Sequence, residues 1–130
     1  MKTKIAERID NAETHLFKAV FPNTVNHYDT LFGGTAMNLM DEVAFITATR
    51  FSRKKMVTVA VDKIEFKRPI AAGTIIELIG KVIQVGNTSL KVQVEIVVEE
   101  MYEFKREKAI CGTFTFVAID NSRKPLTILS

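Results

Sequence analysis

The sequence of 130 residues has few cysteines, prolines and glycines, and each shortage excludes a class of protein. Six glycines and three prolines exclude collagen-like and low-complexity chains. Cys111 is the only cysteine, so no internal disulfide can form, which is typical of a reducing compartment. No apolar run reaches about eighteen residues and no apolar signal segment opens the chain, so neither a membrane span nor secretion is predicted. We expect a single cytoplasmic domain over residues 1–130.

The charge is close to balanced, with a net charge of +3, while 47% of the residues are hydrophobic. These values are typical of a folded globular domain and argue against extended disorder. Residues 50–68 hold seven basic and two acidic side chains, a local charge of +5. This stretch either complements a helix end and covers solvated strand faces, or binds a phosphorylated ligand.

Common catalytic motifs are missing from the sequence. It has no phosphate-binding loop, no G-x-S-x-G turn and no H-E-x-x-H motif. One cysteine and two distant histidines do not make a usual zinc site. If the protein is an enzyme, we expect it to work without a metal or a bound cofactor.

Hydrophobic patterning predicts an α+β fold with one long helix and about five long strands. Residues 35–51 lack glycine and proline and are apolar on nearly every face, which predicts a buried helix. Alternation and β-branched residues predict strands at 15–21, 56–66, 74–85, 88–99 and 108–119. Because short turns separate the long strands, the sheet should be antiparallel and curve around the helix.

The strand predicted at 74–85 is apolar on both faces. One face carries Ile76, Leu78 and Val82, and the other is predicted to carry Ile75, Ile79, Ile83 and Val85. A single helix covers only one face of a sheet, so the second face needs another partner. The sequence therefore predicts a homo-oligomer.

Asp41 is a candidate catalytic residue because it lies in an otherwise apolar helix, beside Met40 and Val43. A buried carboxylate is costly unless it is paired or functional. Burial raises the pKa of a carboxylate toward the range of a general base. Asp41 is therefore either a general base or nucleophile, or a carboxylate satisfied by a nearby donor.

The pair Gly33–Gly34 directly precedes the predicted helix. Glycines let a ligand approach the backbone, and the first N–H groups of a helix are unpaired and electropositive. A developing oxyanion would be stabilised there, unless the pair serves only close packing at the helix start. Asp41 lies about two turns along, so it would reach this point from an antiparallel partner helix.

Several segments together resemble one family. Residues 26–34 read NHYDTLFGG and residues 39–42 read LMDE, which is similar to the Asn-x-x-Gly-x-x-Phe-Gly-Gly and Met-Asp-Glu pattern of the acyl-CoA hydrolase (acyl-CoA thioesterase) family of hotdog-fold proteins. The likeness continues at 57–59, 66–69 and 86–89. It implies a hotdog fold, hydrolysis of fatty acyl-CoA to free acid and CoA, and dimers assembled into a hexamer. CoA would then enter only as part of the substrate.

The resemblance also implies roles for individual residues. Asn26 would hold the thioester or the attacking water, Asp41 would be the catalytic aspartate acting from the opposite subunit, and the amides of Gly33 and Gly34 would bind the thioester carbonyl. The matching segments imply substrate-binding positions at Thr58, Val59, Arg68, Gly86, Asn87, Thr88 and Ser89. Asp29 stands where the family has glycine, and is either a turn residue or a modifier of the chemistry.

Two alternatives to hydrolysis remain. A non-catalytic acyl-CoA-binding or sensing module would use the same pocket but would need no carboxylate aimed at the thioester. A hotdog hydratase would want a histidine on the central helix, and this helix has none. His27 could line the entrance, whereas His15 and Cys111 are expected to be structural among apolar neighbours. The expected partners are acyl-CoA and further copies of the chain, not nucleic acid or a membrane.

Overall fold

A computed structural model describes residues 3–129 and contains one long helix against an antiparallel sheet. The elements are α1 (Lys4–Ala12), β1 (Thr14–Ala19), a 3₁₀ turn (Pro22–Thr24), α2 (Gly33–Ser52), β2 (Lys55–Phe66), β3 (Thr74–Val85), β4 (Ser89–Glu100) and β5 (Arg106–Ile119). The strand order is β1-β3-β4-β5-β2, and every neighbouring pair is antiparallel. The predicted hotdog arrangement of helix and five-stranded sheet is confirmed.

The core lies between α2 and one face of the sheet. In β4 the predicted alternation is confirmed, because Leu90, Val92, Val94 and Ile96 are all buried. They meet one face of α2, on which Met40, Val43, Ala44, Ala48 and Phe51 are buried. None of the helices in the described part of the chain is long and apolar enough to cross a membrane.

Two glycines allow the sheet to approach its neighbours closely. A Cβ added at Gly80 of β3 would overlap Thr47 and Val43 of α2, and one at Gly112 of β5 would overlap Ile64 of β2. The Thr47 hydroxyl donates to the Val43 carbonyl at 2.8 Å, so the helix side of the first contact is fixed. Gly80 therefore sets how near α2 lies to the sheet.

Helix α1 was not predicted, because the N-terminal residues appeared uniformly charged. Thr3 caps it by accepting a hydrogen bond from the Ala6 N–H at 3.1 Å. Ile9 packs against the core and Ala12 is buried, at a helical spacing of three residues. The charged residues on the polar face of α1 therefore obscured its amphipathic pattern in the sequence.

The two faces of β3 differ from the prediction at one position. Ile75 and Ile79 are half-buried and Ile83 is exposed on the face away from α2. Val85 packs against the core instead of joining them, because the register with β4 shifts between Val82 and Gln84. The apolar second face is therefore real but shorter than predicted.

This outer face also carries an ion-pair network centred on Glu77, which is 7% exposed. His15 Nδ1 lies 2.7 Å from one Glu77 oxygen, and Arg106 donates to the other. Hydrogen bonds to Glu77 and then Glu13 raise the pKa of His15. Burial alone would raise the pKa of Glu77, but the bonds from His15 and Arg106 lower it. The prediction of apolar neighbours for His15 is wrong, because its ring contacts the carboxylates of Glu13 and Glu77.

The basic stretch 50–68 does not form one patch. The Arg50 guanidinium donates to the Asn11 carbonyl at 2.7 Å and to the Glu13 carbonyl at 3.0 Å, and so caps the end of α1. Arg53 ends α2 in a left-handed conformation, with φ of 57°. Arg68, at the far end of β2, forms an ion pair with Glu107. Arg50 and Arg53 therefore fit the first interpretation of this stretch, in which its basic residues complement helix ends.

Candidate active site

The start of α2 exposes unpaired backbone donors. Phe32 precedes the helix and supplies no side-chain cap. Within residues 3–129, no backbone or side-chain acceptor is found for the N–H groups of Gly33, Gly34 and Thr35. A Cβ at either glycine would meet nothing within 4 Å. Close packing inside the chain therefore does not explain the glycine pair, and the donors are open to a ligand or to a second chain.

Asp41 is exposed, so the predicted burial is wrong for the single chain. The prediction that α2 is buried all round failed, because only one face of this helix is buried. The other face carries exposed residues, namely Asn38, Asp41, Glu42 and Phe45. The Thr58 hydroxyl of β2 donates to Asp41 Oδ1 at 3.2 Å. This contact holds one carboxylate oxygen and leaves the other without a bond within the described residues.

Asp41 and Gly34 are seven residues apart and lie on the same face of α2. Seven residues of helix span roughly 10 Å, which is too far for the carboxylate and the Gly34 amide to contact one reacting carbon. Within one chain, Asp41 and the Gly34 amide therefore cannot serve the same reacting carbon. A site shared between two chains stays a prediction.

The surface around Asp41 is apolar and borders the open edge of β2. Phe45, Val59 and Val61 are 46%, 56% and 41% exposed. Among the described strands, β2 pairs only with β5, so its other edge has free backbone groups. An exposed apolar patch beside an unpaired strand edge is typical of a surface that binds another chain.

Asn26 lies in the loop before α2 and organises that loop. Its Oδ1 accepts from the Tyr28 N–H at 2.9 Å, the Thr30 N–H at 3.2 Å and the Thr30 hydroxyl at 3.1 Å. No acceptor for its Nδ2 is found in residues 3–129, so this amide group remains a donor for a ligand. His27 stacks on Tyr28, with ring centroids 3.9 Å apart, and is exposed.

Asp29 has a φ of 59°, in the left-handed region where glycine is favoured. Its N–H donates to the Asn26 carbonyl at 3.0 Å, and its carbonyl accepts from the Ala72 N–H at 3.0 Å. The backbone requirement explains why a glycine suits this position and why aspartate is tolerated. The structure therefore favours the interpretation of Asp29 as a turn residue.

A cavity of about 130 Å³ opens beside the first residue of α2. We call it the helix-start cavity, and its walls include Leu31, Gly33, Phe66, Arg68 and Ile110. Arg68, which was predicted to bind substrate, lines this cavity, and its guanidinium is paired with Glu107. The cavity thus joins two of the predicted positions, Gly33 and Arg68.

The other predicted substrate-binding positions are not gathered at this cavity. Thr58 contacts Asp41, and Val59 lies beside it on the open edge. The turn containing Gly86, Asn87, Thr88 and Ser89 connects β3 to β4, and Ser89 is separated from Val57 of β2 by one strand. Within a single chain this turn does not contribute to the site.

Other reactive groups are few in the described residues. No group of three or more histidine, cysteine, aspartate or glutamate side chains is arranged to hold a metal ion. Burial, and then the nearby Glu95, raise the pKa of the Cys111 thiol. Cys111 is thereby kept in its less nucleophilic form, in agreement with a structural role.

Sequence reasoning missed two features of the site. The contact between Asp41 and Thr58 joins residues seventeen positions apart on different elements, and no local pattern marks it. Leu31 belongs to the matched segment 26–34 but no role was predicted for it, and it lines both the helix-start cavity and a second cavity. The sequence signal for this role was the position of Leu31, an apolar residue directly before Phe32 and the glycine pair.

Comparison with known proteins gives consistent matches. Residues 28–105 match the family model described as "Thioesterase superfamily". The "Uncharacterized acyl-CoA thioester hydrolase ZMO0511" of Zymomonas mobilis is 38% identical over 107 residues, covering 82% of this chain and 72% of that protein. The chain spans between 60% and 72% of the lengths of the first five curated relatives.

Solved structures agree with this similarity. An acyl-CoA hydrolase from Staphylococcus aureus, in complex with butyryl-CoA, CoA and CoA disulfide, is 33% identical with a TM-score of 0.88, over 92% of this chain and 73% of that one. Its structures include alanine variants of an asparagine, an aspartate and a threonine. The hexameric thioesterase y2039 from Yersinia pestis is 30% identical with a TM-score of 0.81, over 88% of this chain and 93% of that one.

Proposed function

This chain belongs to the thioesterase superfamily and is a thioester hydrolase, and we propose that it hydrolyses acyl-CoA to a free acid and CoA with Asp41 as the catalytic carboxylate. The predicted resemblance to the family is confirmed. The observation that carries the proposal is the exposure of Asp41 and of the unpaired Gly33 and Gly34 amides on one side of α2.

In the proposed reaction, Asp41 acts as a general base or nucleophile. As a base it removes a proton from water, whose oxygen attacks the thioester carbonyl carbon. The carbon–sulfur bond then breaks, and CoA leaves as a thiolate that needs no general acid to depart. The Thr58 hydroxyl orients the Asp41 carboxylate, so that its second oxygen faces the water.

The amides at the start of α2 would stabilise the oxyanion. Each such donor contributes roughly a hundredfold to a thousandfold in rate when it is placed in advance. Asn26 would donate from Nδ2 to the water or the carbonyl, because its Oδ1 is already occupied by Tyr28 and Thr30. No metal or bound cofactor takes part in this proposal, and CoA enters as part of the substrate.

The spacing of the three polar residues supports these roles. The asparagine, aspartate and threonine replaced by alanine in the Staphylococcus aureus enzyme are separated by the same intervals as Asn26, Asp41 and Thr58. In that enzyme, butyryl-CoA and CoA are bound ligands. We infer that the three side chains serve one site here as well.

The site would be shared by two copies of the chain. Pairing of β2 edges would bring two α2 helices together in antiparallel orientation, cover Phe45, Val59 and Val61, and shield Asp41 from bulk solvent while leaving room for the attacking water. The Yersinia pestis relative is hexameric, and we propose a trimer of such dimers. A cytoplasmic location remains our expectation, as does a single domain.

The test compares Asp41→Asn with Glu42→Gln, which removes the neighbouring exposed carboxylate of the same helix. We expect kcat, followed by thiol release from butyryl-CoA, to fall at least a hundredfold for Asp41→Asn and little for Glu42→Gln. Light scattering would check that both variants keep the wild-type mass. Comparable turnover by Asp41→Asn would remove that residue from the mechanism, and a wild type that binds butyryl-CoA without cleaving it would favour the sensing module.

A mixing experiment tests the sharing of the site. Gly34→Pro removes one amide donor at a helix position that tolerates proline. If each site takes Asp41 from one chain and Gly34 from the other, random dimers of the two inactive variants regain about a quarter of the wild-type activity. No recovery after refolding a mixture whose dimers had exchanged would contradict the shared site.

A further inference from the structure

The exposed face of α2 carries a regular outward stripe of four residues, Gly34, Asn38, Asp41 and Phe45. They recur at intervals of four, three and four residues, the spacing at which one helix presents a row of side chains to another. Three of them already have a proposed use, as an oxyanion donor, the catalytic carboxylate and part of the apolar patch beside β2. Asn38 has none, and within residues 3–129 its side-chain amide forms no hydrogen bond.

The proposed function determines where a second α2 would lie against the outward stripe. If the Asp41 carboxylate of one chain serves the carbon held by the Gly34 amide of the other, the two antiparallel helices are level at these residues. The midpoint of this pair along the helix lies between Met37 and Asn38. Met37 packs against the core of its own chain, whereas Asn38 faces outward. Asn38 is therefore the stripe residue nearest the two-fold axis, and its two copies differ in level by one residue, about 1.5 Å.

The apolar end of the outward stripe fits the same register. Phe45 is 46% exposed in the single chain, and Phe32, just before α2, is 51% exposed. In an antiparallel pair with its axis near Asn38, Phe45 of each chain would lie close to the segment that precedes α2 in the other. Contacts between these large side chains would bury apolar area at both ends of the helix pair. The polar Asn38 pair would then lie at its centre.

A carboxamide suits a position on a two-fold axis because it is self-complementary. The NH₂ group of an asparagine donates and its carbonyl oxygen accepts, so two copies of Asn38 can exchange a pair of hydrogen bonds. Two carboxylates or two ammonium groups at the axis would repel each other instead. In paired helices a single asparagine favours the register in which the amides meet, because a slip leaves both buried without partners.

We propose that Asn38 is a positioning residue that pairs with Asn38 of a second copy and so sets the register in which both active sites are complete. This rests on the proposed function, because Asp41 and Gly34 define the register. A slip of one helical turn would move the carboxylate about 5.4 Å from the carbon that it serves. A misplacement of about 1 Å already costs roughly a hundredfold in rate. Asn38 thereby couples assembly of the dimer to its activity.

Disulfide cross-linking tests the distance across the axis. Asn38→Cys is made in a Cys111→Ser background, since Cys111 is the only natural thiol, and is oxidised with diamide. A disulfide needs Cα atoms within about 7 Å, so we expect most chains to run as covalent dimers on a non-reducing gel. Glu42→Cys is the matched control, because it is exposed one turn along and its two copies would be roughly 13 Å apart. No cross-link at position 38, or an equal yield at position 42, would overturn the proposal.

Kinetics separates the register from simple packing. Asn38→Leu keeps the helix pair apolar but removes the reciprocal amides. We expect light scattering to give the wild-type mass, while kcat for butyryl-CoA falls at least tenfold. Asn38→Gln carries the same carboxamide and should stay within threefold of the wild type. Wild-type kcat for Asn38→Leu, or an equal loss for Asn38→Gln, would refute the positioning role.

The cross-link keeps this inference separate from the proposed function, because it needs no activity and can be repeated with Asp41→Asn. A wild type that cleaves butyryl-CoA while Asn38→Cys gives no cross-link would refute the register and leave hydrolysis standing. A cross-link at position 38 in a protein that cleaves no thioester would support the pairing of Asn38 and refute the proposed function.

Discussion

Replacing Gly80 by alanine tests how closely α2 is held against the sheet. The new Cβ would lie 2.5 Å from the Thr47 hydroxyl and 2.9 Å from a Val43 methyl, both shorter than van der Waals contact. Val43 and Thr47 are fully buried, and their mutual hydrogen bond holds them. Overpacking of this kind costs about 1–3 kcal/mol, and alanine recovers about 0.5–1 kcal/mol of backbone entropy. We expect Gly80→Ala to lower the free energy of unfolding by about 1–2 kcal/mol.

The assay is urea unfolding followed by circular dichroism at a fixed protein concentration, because an oligomer gains apparent stability with concentration. Gly112→Ala is the matched control, since its Cβ would meet the end of the half-buried Ile64 side chain, which can rotate away. It should cost less than Gly80→Ala. A second-site Thr47→Ala should restore part of the loss. Wild-type stability for Gly80→Ala, or a larger loss for Gly112→Ala, would refute the reasoning.

Two further predictions concern charge and backbone conformation. Because the pKa of His15 is raised from 6.5, its stabilising contribution is complete below pH 6.5 and is lost as the pH rises through the folded-state pKa. Wild type should therefore exceed His15→Gln in unfolding free energy by more at pH 6 than at pH 9, and a constant difference would contradict the ion pair. Because Asp29 is left-handed, Asp29→Ala should lose about 1 kcal/mol, whereas Asp29→Gly and Asp29→Asn should remain near wild type. A large change in kcat for Asp29→Asn would instead make its carboxylate part of the chemistry.

The strands were predictable because each has long, regular alternation. All five are present, and no end differs from its prediction by more than two residues. Alternation fails where a bulge intervenes, so Val85 was assigned to the wrong face. The brief amphipathic pattern of α1 lay among many charges and was missed.

The candidate site was only partly predictable. The local order of Asn26, the glycine pair and Asp41 could be read from the sequence, because all three lie within one loop and one helix. The burial of Asp41 could not, because periodicity places a residue on a helix face without saying which chain covers that face. The walls of the second cavity combine residues of β1, α2 and β3, such as Ala19, Leu39 and Ile76, so no local pattern marks the cavity as a whole.

Helices α1 and α2 each supply an arginine that caps the C-terminal turn of the other. Arg50 of α2 binds the terminal carbonyls of α1, while Arg8 of α1 donates to the Phe51 carbonyl at 2.6 Å and its guanidinium lies 4.7 Å from the centre of the Phe51 ring. A chain that began at β1 would lack Arg8 and also the Asn11 carbonyl that Arg50 binds, so both contacts would be lost together. The nine residues of α1 consequently hold the C-terminal turn of α2, the helix on which Asp41 lies.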